Sequence, residues 1–447
     1  MTRLKNIFNG TDRTKLLVKN VLTSFFIKGW SAVVVLIMVP LTLTCLGEYR
    51  NGVWLTISSL LVWIDQMDIG LGNGLRNNLA TQLALDNKKE ARRLVSSTMA
   101  MLVCIAIPIA FILTSLLYLT DVYAFLNVDP LLLPELRAAL LAAVILILVT
   151  FVLKFIGNVY MALQLPAISN LLMAIGQTLA LLLTAALLYA GKATFFNIVV
   201  ANVAAPLLTY LFAYPYTFFS RYPYLRPTLS MVNLRSALQL CNLGVKFFWI
   251  QIASLIQFMT ANLLISQFYS PAMVTPYQIA YRYMSIVMVA FTVICMPFWS
   301  ATTDAWQRGD MVWIAKADRR MSAMTAGLGI LLAIMTAVSQ WVYQLWIGDA
   351  CRVPFGITAM MALYIYLLVL SMRYSYFLNG IGALRLQLYM TVFTVIFIPL
   401  AWFVCSNTDN IVWFMTVMCL CIAPSILVNM IQFRKVIKGT AAGLWRI

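Results

Sequence analysis

Long, uninterrupted apolar runs recur from one end of the chain to the other, and short polar stretches separate them. A helical span needs roughly 20 apolar residues to cross a bilayer core, whereas a strand of a membrane β-barrel alternates over about ten. The pattern therefore predicts an all-α integral membrane protein. We predict twelve transmembrane helices, at 17–43, 52–72, 97–119, 137–160, 168–190, 195–219, 241–268, 275–300, 322–346, 356–378, 387–405 and 411–432.

The composition agrees with a membrane protein. Of 447 residues, 63% are hydrophobic and 10% are charged, against roughly 25% charged in soluble domains. Lys19 and Lys28 interrupt the first apolar run, and no small-residue cleavage site closes it, so we predict a retained span rather than a signal peptide. The eight cysteines lie in or beside apolar runs, which favours free, buried thiols.

The distribution of Lys and Arg predicts the orientation. Counted with the termini, the loops on one side carry 21 Lys and Arg against six acids, and those on the other side carry four against six. Basic loops stay in the cytoplasm, so both termini are predicted to be cytoplasmic. The net charge of +17 then reflects topology and attraction to anionic lipid headgroups, and it requires no nucleic acid.

An internal repeat is suggested by two cytoplasmic stretches, 73–96 and 301–321. Each follows the second span of a half and ends in a basic pair, at Arg92-Arg93 and at Arg319-Arg320, 227 residues apart. Two lobes of six helices, related by an axis along the membrane normal, are one plan for transporters. We therefore predict an N-terminal lobe at 1–219, a cytoplasmic linker at 220–240 and a C-terminal lobe with a short tail at 241–447.

Five cations lie deep within the predicted spans: Lys28, Lys154, Lys246, Arg282 and Arg373. At a helix centre each costs roughly 2.5–3.5 kcal/mol on insertion scales, so each needs water, an acid or a bound anion. Each shares a helix face with polar side chains. These neighbours are Asn20, Ser24 and Ser31 for Lys28, Thr150 and Asn158 for Lys154, Asn242 and Gln257 for Lys246, Gln278 and Ser285 for Arg282, and Tyr366 and Tyr376 for Arg373.

These stripes predict a water-filled, cationic cavity between the lobes that receives an anionic headgroup. Arg binds phosphate bidentately and Lys binds it as a point charge. The alternative is five separate interhelical pairs or snorkelling side chains. Since only Asp65 and Asp68 are acids within the spans, intramembrane pairing can neutralise two of the five cations.

The stretch "VWIDQMDIGLGNGLRNNLA" at 62–80 places Asp65 and Asp68 on one face of the second span. Its glycines do not follow a soluble strand or open a βαβ unit, which excludes a dinucleotide fingerprint. They suit close helix packing or a turn at the membrane edge. For the carboxylates we consider charge pairing, for example of Asp68 with Arg76, and binding of Na⁺ or H⁺ for coupled transport.

"WLTISSLLVWIDQMDIGLGNGLRNNLA", followed by "EARR", resembles the second-helix signature of bacterial polysaccharide flippases in the multidrug/oligosaccharidyl-lipid/polysaccharide (MOP) exporter superfamily. "YFLNGIGALRLQ" at 376–387 resembles the end of their tenth helix. The resemblance implies two six-helix lobes around a central cavity. The matching positions, taken as structural or gating candidates, are Asp68, Gly70, Gly74, Arg76, Asn77, Asn379, Gly380 and Gln387.

The activity that this resemblance implies is alternating-access movement of an undecaprenyl-diphosphate-linked oligosaccharide from the cytoplasmic to the periplasmic leaflet, for surface polysaccharide (O-antigen) biosynthesis. A polysaccharide polymerase complex is a possible partner. The sequence does not specify the sugar.

Two other functions remain open. An ion-coupled multidrug or cation antiporter of the same superfamily would require an acidic cavity, and the excess of intramembrane cations disfavours it. A membrane enzyme such as a polysaccharide polymerase is disfavoured because His is absent and no Ser–His, phosphate-loop or metal-ligand constellation occurs. The sequence therefore predicts a transporter without a cofactor, a metal or catalytic residues.

Overall fold

The computed structural model describes residues 12–65, 67–68, 70–233, 260–383 and 385–445. Its helices confirm the predicted all-α class. They are α1 (Asp12–Asp65), α2 (Leu71–Ala84), α3 (Lys88–Leu119), α4 (Val122–Leu126), α5 (Leu136–Leu153), α6 (Phe155–Ala162), α7 (Pro166–Tyr189), α8 (Phe195–Pro215), α9 (Pro271–Gln307), α10 (Met311–Ala337), α11 (Ser339–Ile347), α12 (Phe355–Ile381), α13 (Arg385–Asn407) and α14 (Ile411–Ile437). Residues 260–268 are helical as well.

Eight helical stretches within the described residues are long and apolar enough to cross a membrane. Many of their large side chains stay exposed: Phe111 is 73% exposed and Phe212 is 74% exposed. A soluble protein rarely leaves so much apolar surface uncovered. Because lipid can solvate these side chains at no cost, the exposed apolar belts fit helices that face a bilayer.

The first two predicted spans are two helices in the structure, but they join without the predicted loop between them. α1 is a pair of helices that join directly at a kink, where Gly47 has φ +69° and ψ 175°. A left-handed φ is strained for residues with a Cβ, so glycine permits this sharp turn without a loop. The predicted second span also ends too late, because α1 stops at Asp65 and α2 starts at Leu71.

The two stretches predicted as cytoplasmic loops, 73–96 and 301–321, are mostly helical. Helix α2 occupies 71–84, and only short turns separate α2 from α3 and α9 from α10. Both later helices begin with a side-chain cap: Asn87 accepts from the Glu90 N–H at 3.1 Å, and Asp310 accepts from the Trp313 N–H at 2.9 Å. Hydropathy marks where the apolar part of a helix ends, and a capped helix continues beyond it.

Three further boundaries differ from the prediction. The fourth span divides at Lys154 into α5 and α6. The ninth starts earlier than expected and is followed by the separate helix α11, and the outer loop at 120–136 contains α4. After α8, the chain makes a π-helical turn at Tyr216–Arg221 and 3₁₀ turns at Pro223–Leu225 and Leu229–Met231.

The chain forms two compact units. Unit 1 consists of Met1–Arg50 and Ile57–Trp249, and unit 2 consists of Asn51–Thr56 and Ile250–Ile447. In unit 1, aromatic side chains fill the contact between α6 and the end of α8: the Phe155 and Phe218 rings stack at 5.9 Å, and the Tyr160 hydroxyl lies 2.9 Å from that of Thr217.

Unit 2 contains the short segment 51–56 from the middle of α1. The Asn51 amide donates to the Thr275 hydroxyl at 3.3 Å, and the Asn262 amide donates to the Leu55 carbonyl at 3.2 Å. Its main core joins α9, α10, α12 and α14 through a cluster of buried side chains. That cluster includes Phe291, Ile314, Met321, Val369, Phe377 and Phe433.

Candidate functional site

The break between α1 and α2 is built from the two aspartates of the "DQMDIG" stretch. Lys154 binds the Asp65 carboxylate at 2.8 Å and also donates to the Asp65 backbone carbonyl. Because Asp65 is the last residue of α1, the ammonium group lies at the negative end of that helix. The cation therefore satisfies a carboxylate and a carbonyl that the helix end leaves without a helical partner.

Asp68 has the complementary role at the start of α2. Its carboxylate accepts from the Gly70 and Gly72 N–H groups, both at 3.1 Å. A carboxylate at a helix N-terminus is stabilised by the exposed N–H groups and by the helix dipole. Arg76 is exposed on α2, and within the described residues no ion pair joins it to Asp68. The carboxylate is engaged by the backbone instead.

The local structure requires glycine at two positions of "GLGNG". Gly70 adopts φ +74° immediately before α2, a conformation that disfavours other residues. At Gly72 an added Cβ would lie 2.8 Å from the Asp68 Oδ2 atom and would also collide with the Asn158 amide. The glycines thus permit the capped turn and the close approach of α6, as predicted for a tightly packed helix end.

Lys154 reaches this break from the junction of α5 and α6. Its backbone N–H still donates to the Thr150 carbonyl at 2.8 Å, so the chain direction changes little. The Lys154 ammonium also lies 5.5 Å from the centre of the Phe151 ring. The side chains of Lys154 and Asp65 remain 23% and 29% exposed, so the ion pair is partly accessible.

Unit 2 holds a second ion pair, which the sequence did not indicate. Arg373 on α12 binds the Asp318 carboxylate and donates to the Asp318 carbonyl at 3.3 Å. Its guanidinium lies 4.9 Å from the Tyr374 ring, and the residue is only 7% exposed. Hydropathy places Asp318 in the predicted loop at 301–321, outside the spans, whereas in the structure it lies on the second turn of α10.

The three remaining predicted cations differ in their surroundings. Lys28 is exposed on α1, between Phe25 and Trp30, which are 54% and 52% exposed. Arg282 on α9 is half-buried, and its helix neighbour Gln278 donates to the Asn262 side chain at 2.7 Å. Lys246 lies outside the residues that the structure describes. The structure therefore brings Lys154 to Asp65 and Arg373 to Asp318.

The remaining motif positions fall at three helix ends. Gly74 is buried in the first turn of α2, where its N–H donates to the Gly70 carbonyl at 2.9 Å, and Asn77 is exposed on the same helix. At the end of α12, Gly380 is buried and Asn379 is half-buried, with its carbonyl accepting from the Gly382 N–H at 3.2 Å. Gln387, near the start of α13, is half-buried.

The fold is that of known transporters. The chain superposes on an inward-facing multidrug resistance MATE family transporter of the MOP superfamily with a TM-score of 0.76 and 16% identity, over 94% of this chain and 100% of that one. An outward-facing MATE transporter matches with a TM-score of 0.66 and 15% identity, over 98% of both chains. This likeness shows that the chain has the MATE-type fold.

A third similar structure is a MOP superfamily transporter from Pyrococcus furiosus, for which a reversed polarity of the binding pocket is described as suggesting a different function. It matches with a TM-score of 0.61 and 16% identity, over 96% of this chain and 97% of that one. No protein-family model and no curated protein matches the chain by sequence.

Proposed function

We propose that the protein is a lipid-linked oligosaccharide flippase that moves an undecaprenyl-diphosphate-linked saccharide across the bacterial inner membrane by alternating access, with both termini in the cytoplasm. The observation that carries this proposal is that both intramembrane carboxylates already have partners within the protein. Asp65 is paired with Lys154, and Asp68 accepts two backbone N–H groups. Neither acid is left as an open anionic site for a cationic substrate.

The cations support an anionic substrate. Lys28 is exposed within an apolar helix. A charge at such a depth is costly unless it reaches water or a counter-ion. A diphosphate offers several acceptor oxygens and a double negative charge, which suits an Arg fork and a Lys ammonium. In this proposal Lys28, Arg282 and Lys246 contact the headgroup.

Lys154 and Arg373 enter the proposal differently, because each is already bound to an aspartate in its own unit. They hold helix ends in place, and a diphosphate would have to compete with a carboxylate for either of them. Coupling to Na⁺ or H⁺ is assigned to Asp65. Protonation or Na⁺ binding there would release Lys154, whereas Asp68 is fixed by the start of α2.

The proposal is tested with purified protein in vesicles that contain a fluorescent undecaprenyl-diphosphate disaccharide and an impermeant quencher outside. Wild-type protein should make the inner-leaflet lipid accessible to the quencher. Lys28→Ala and Arg282→Ala should slow this movement, and Lys28→Arg should retain most of it. Lys192→Ala, which removes an exposed cation from an outer loop, is the matched control and should have no effect.

An ion-coupled multidrug antiporter is the second candidate, and the fold likeness to MATE transporters favours it. The same vesicles separate the two functions when a cationic dye such as ethidium replaces the lipid. Ion-gradient-driven dye movement, together with an immobile lipid-linked saccharide, would establish the antiporter and reject the flippase. In that case Asp65→Asn should abolish dye transport while Lys28→Ala leaves it unchanged.

A further inference from the structure

The segment that follows α8 lies against the start of α3 in unit 1. We call residues 222–233 the strap. Its first turn is anchored by Leu225, which is fully buried, and by a hydrogen bond of 2.8 Å from the Tyr222 N–H to the Thr217 carbonyl. Arg226 stacks on the Phe219 ring at 4.1 Å. The strap therefore begins as a packed continuation of α8.

Three side chains of α3, which we call the latch, bind the strap backbone. The Arg92 Nε atom donates to the Arg226 carbonyl at 2.8 Å. The hydroxyl of Ser96 accepts from the Thr228 N–H at 3.1 Å, and that of Ser97 accepts from the Asn233 N–H at 2.9 Å. All three contacts are to backbone atoms, so they fix the path of the strap independently of its side chains.

The two serines that bind the strap are buried. Ser96 is 2% exposed and Ser97 is 0% exposed. A buried hydroxyl is costly unless it is hydrogen-bonded. The strap supplies one partner to each serine, and the Ser96 hydroxyl also donates to the Arg92 carbonyl at 2.8 Å. Burial also raises the pKa of Tyr224, beside which the Lys88 ammonium lies at 6.0 Å, so this phenol stays neutral at physiological pH. The strap thus packs without burying an unpaired charge.

The contacts with the strap explain why Arg92, Ser96 and Ser97 stand in "EARRLVSS" at 90–97, a stretch that hydropathy alone predicts to be a charged loop. Arg92 and Ser96 are one helical turn apart on the face that meets the strap. Arg93 points elsewhere and pairs with Glu90 at 3.3 Å.

We propose that the latch makes the strap a fixed part of unit 1, so that any displacement of the strap during transport also moves the start of α3. This role in transport rests on the proposed function. Without these hydrogen bonds, the strap would move without displacing α3. The latch is therefore a conformational device that sets how tightly the strap couples to α3, without contacting the substrate.

Hydrogen–deuterium exchange on the full-length protein in nanodiscs tests the latch directly. Ser96→Ala should speed exchange of the Thr228 amide, and Ser97→Ala should speed exchange of the Asn233 amide. Each acceleration should be about five-fold, since a net hydrogen bond contributes on the order of 1 kcal/mol and exchange follows the open population. The double variant should accelerate both amides, each by about five-fold, because each hydroxyl protects its own amide.

Ser115→Ala is the matched control, because Ser115 lies on the same helix far from the strap. The exchange rates are normalised to those of amides in α10, which corrects for any overall loss of stability. Strap amides that exchange no faster in either serine variant than in Ser115→Ala would overturn the latch. Acceleration confined to the strap amides supports it.

Vesicle transport by the double variant tests the coupling role. We expect the double variant to flip the lipid several-fold more slowly than the Ser115→Ala protein. Equal flipping rates in the two proteins would overturn the coupling role. If wild-type protein flips no lipid-linked saccharide, the proposed function fails, while the exchange measurement still decides whether the strap is latched.

Discussion

Lys154 binds both the carboxylate and the backbone carbonyl of Asp65, the residue at which α1 ends. This contact joins the fourth span of unit 1 to the end of its second. Arg373 makes the same kind of contact in unit 2, to the carboxylate and the carbonyl of Asp318. In each unit, a cation on a span predicted to be fourth in its lobe is neutralised by an acid of the same unit.

The first prediction concerns the Lys154–Asp65 pair. Lys154→Ala should lower the free energy of unfolding by about 2 kcal/mol, because it leaves a partly buried carboxylate without its cation. Asp65→Asn should cost less, since the ammonium keeps the backbone carbonyl. Thermal unfolding of the two single variants and of Lys154→Ala/Asp65→Asn gives a double-mutant cycle, in which we expect a coupling of at least 1 kcal/mol.

Glu90 and Arg93 provide the control cycle for that pair. They form a more exposed ion pair one turn apart on α3, for which a coupling of about 0.5 kcal/mol or less is expected. Equal couplings in the two cycles would contradict the structural role assigned to Lys154.

Asp68 is predicted to act as a helix cap and not as an ion site. Asp68→Ala should destabilise the protein by about 1 kcal/mol, the usual cost of losing an N-cap acceptor. Asp68→Asn should keep most of the stability, because an amide oxygen can still accept from a backbone N–H. Its rate of lipid flipping should also stay near that of wild type.

The asparagine variant separates capping from coupling. An amide cannot take up a proton, so a stable Asp68→Asn protein that has lost ion-driven transport would show that Asp68 binds the coupling ion. The unfolding midpoint and the transport rate of this one variant therefore decide between the two roles.

Gly72→Ala is predicted to be strongly disfavoured, although alanine normally stabilises a helix. The added methyl would collide with the Asn158 amide and with the Asp68 carboxylate. The loss should be on the order of 1–3 kcal/mol, as for other overpacked sites. Asn158→Ala should partly restore stability to Gly72→Ala by removing one of the two obstacles.

Gly327→Ala tests the opposite expectation on α10. Nothing lies within 4 Å of the Cβ position there, so this change should raise stability by up to about 1 kcal/mol. Similar effects of the two substitutions on the unfolding midpoint would argue against a close contact between α2 and α6.

Arg373 is predicted to matter for folding more than for substrate binding. Arg373→Ala should cost about 3 kcal/mol, because it leaves the Asp318 carboxylate without its buried partner. Arg373→Ala/Asp318→Ala should recover part of this loss. Arg308→Ala removes an exposed partner of Asp304 and should change stability by less than about 0.5 kcal/mol.

The measurement is the yield of folded protein in detergent together with its unfolding midpoint. A well-folded Arg373→Ala protein with wild-type stability and no flipping would instead place Arg373 at the headgroup. The double variant then separates the two roles, since restored stability does not restore a lost phosphate contact.

The sequence by itself determined the class of protein and the general position of most helices. Apolar runs long enough to span a bilayer permit few alternatives, because a backbone in lipid must satisfy its own hydrogen bonds. It also indicated that "GLGNG" ends a span in a turn, since closely spaced glycines permit positive φ angles and close contacts. Helix ends such as those of α3 and α10 could not be read from hydropathy, because polar residues with caps extend them.

Only the tertiary structure decided which charges meet. Asp65 and Lys154 are 89 positions apart, and Asp318 and Arg373 are 55 positions apart. No local pattern encodes such a pairing, because it depends on how helices pack and on how far each helix extends beyond its apolar part. The same holds for Ser96 and Ser97, whose hydroxyl partners are backbone N–H groups of a distant segment. Periodicity assigns a side chain to a helix face, and only packing determines what that face contacts.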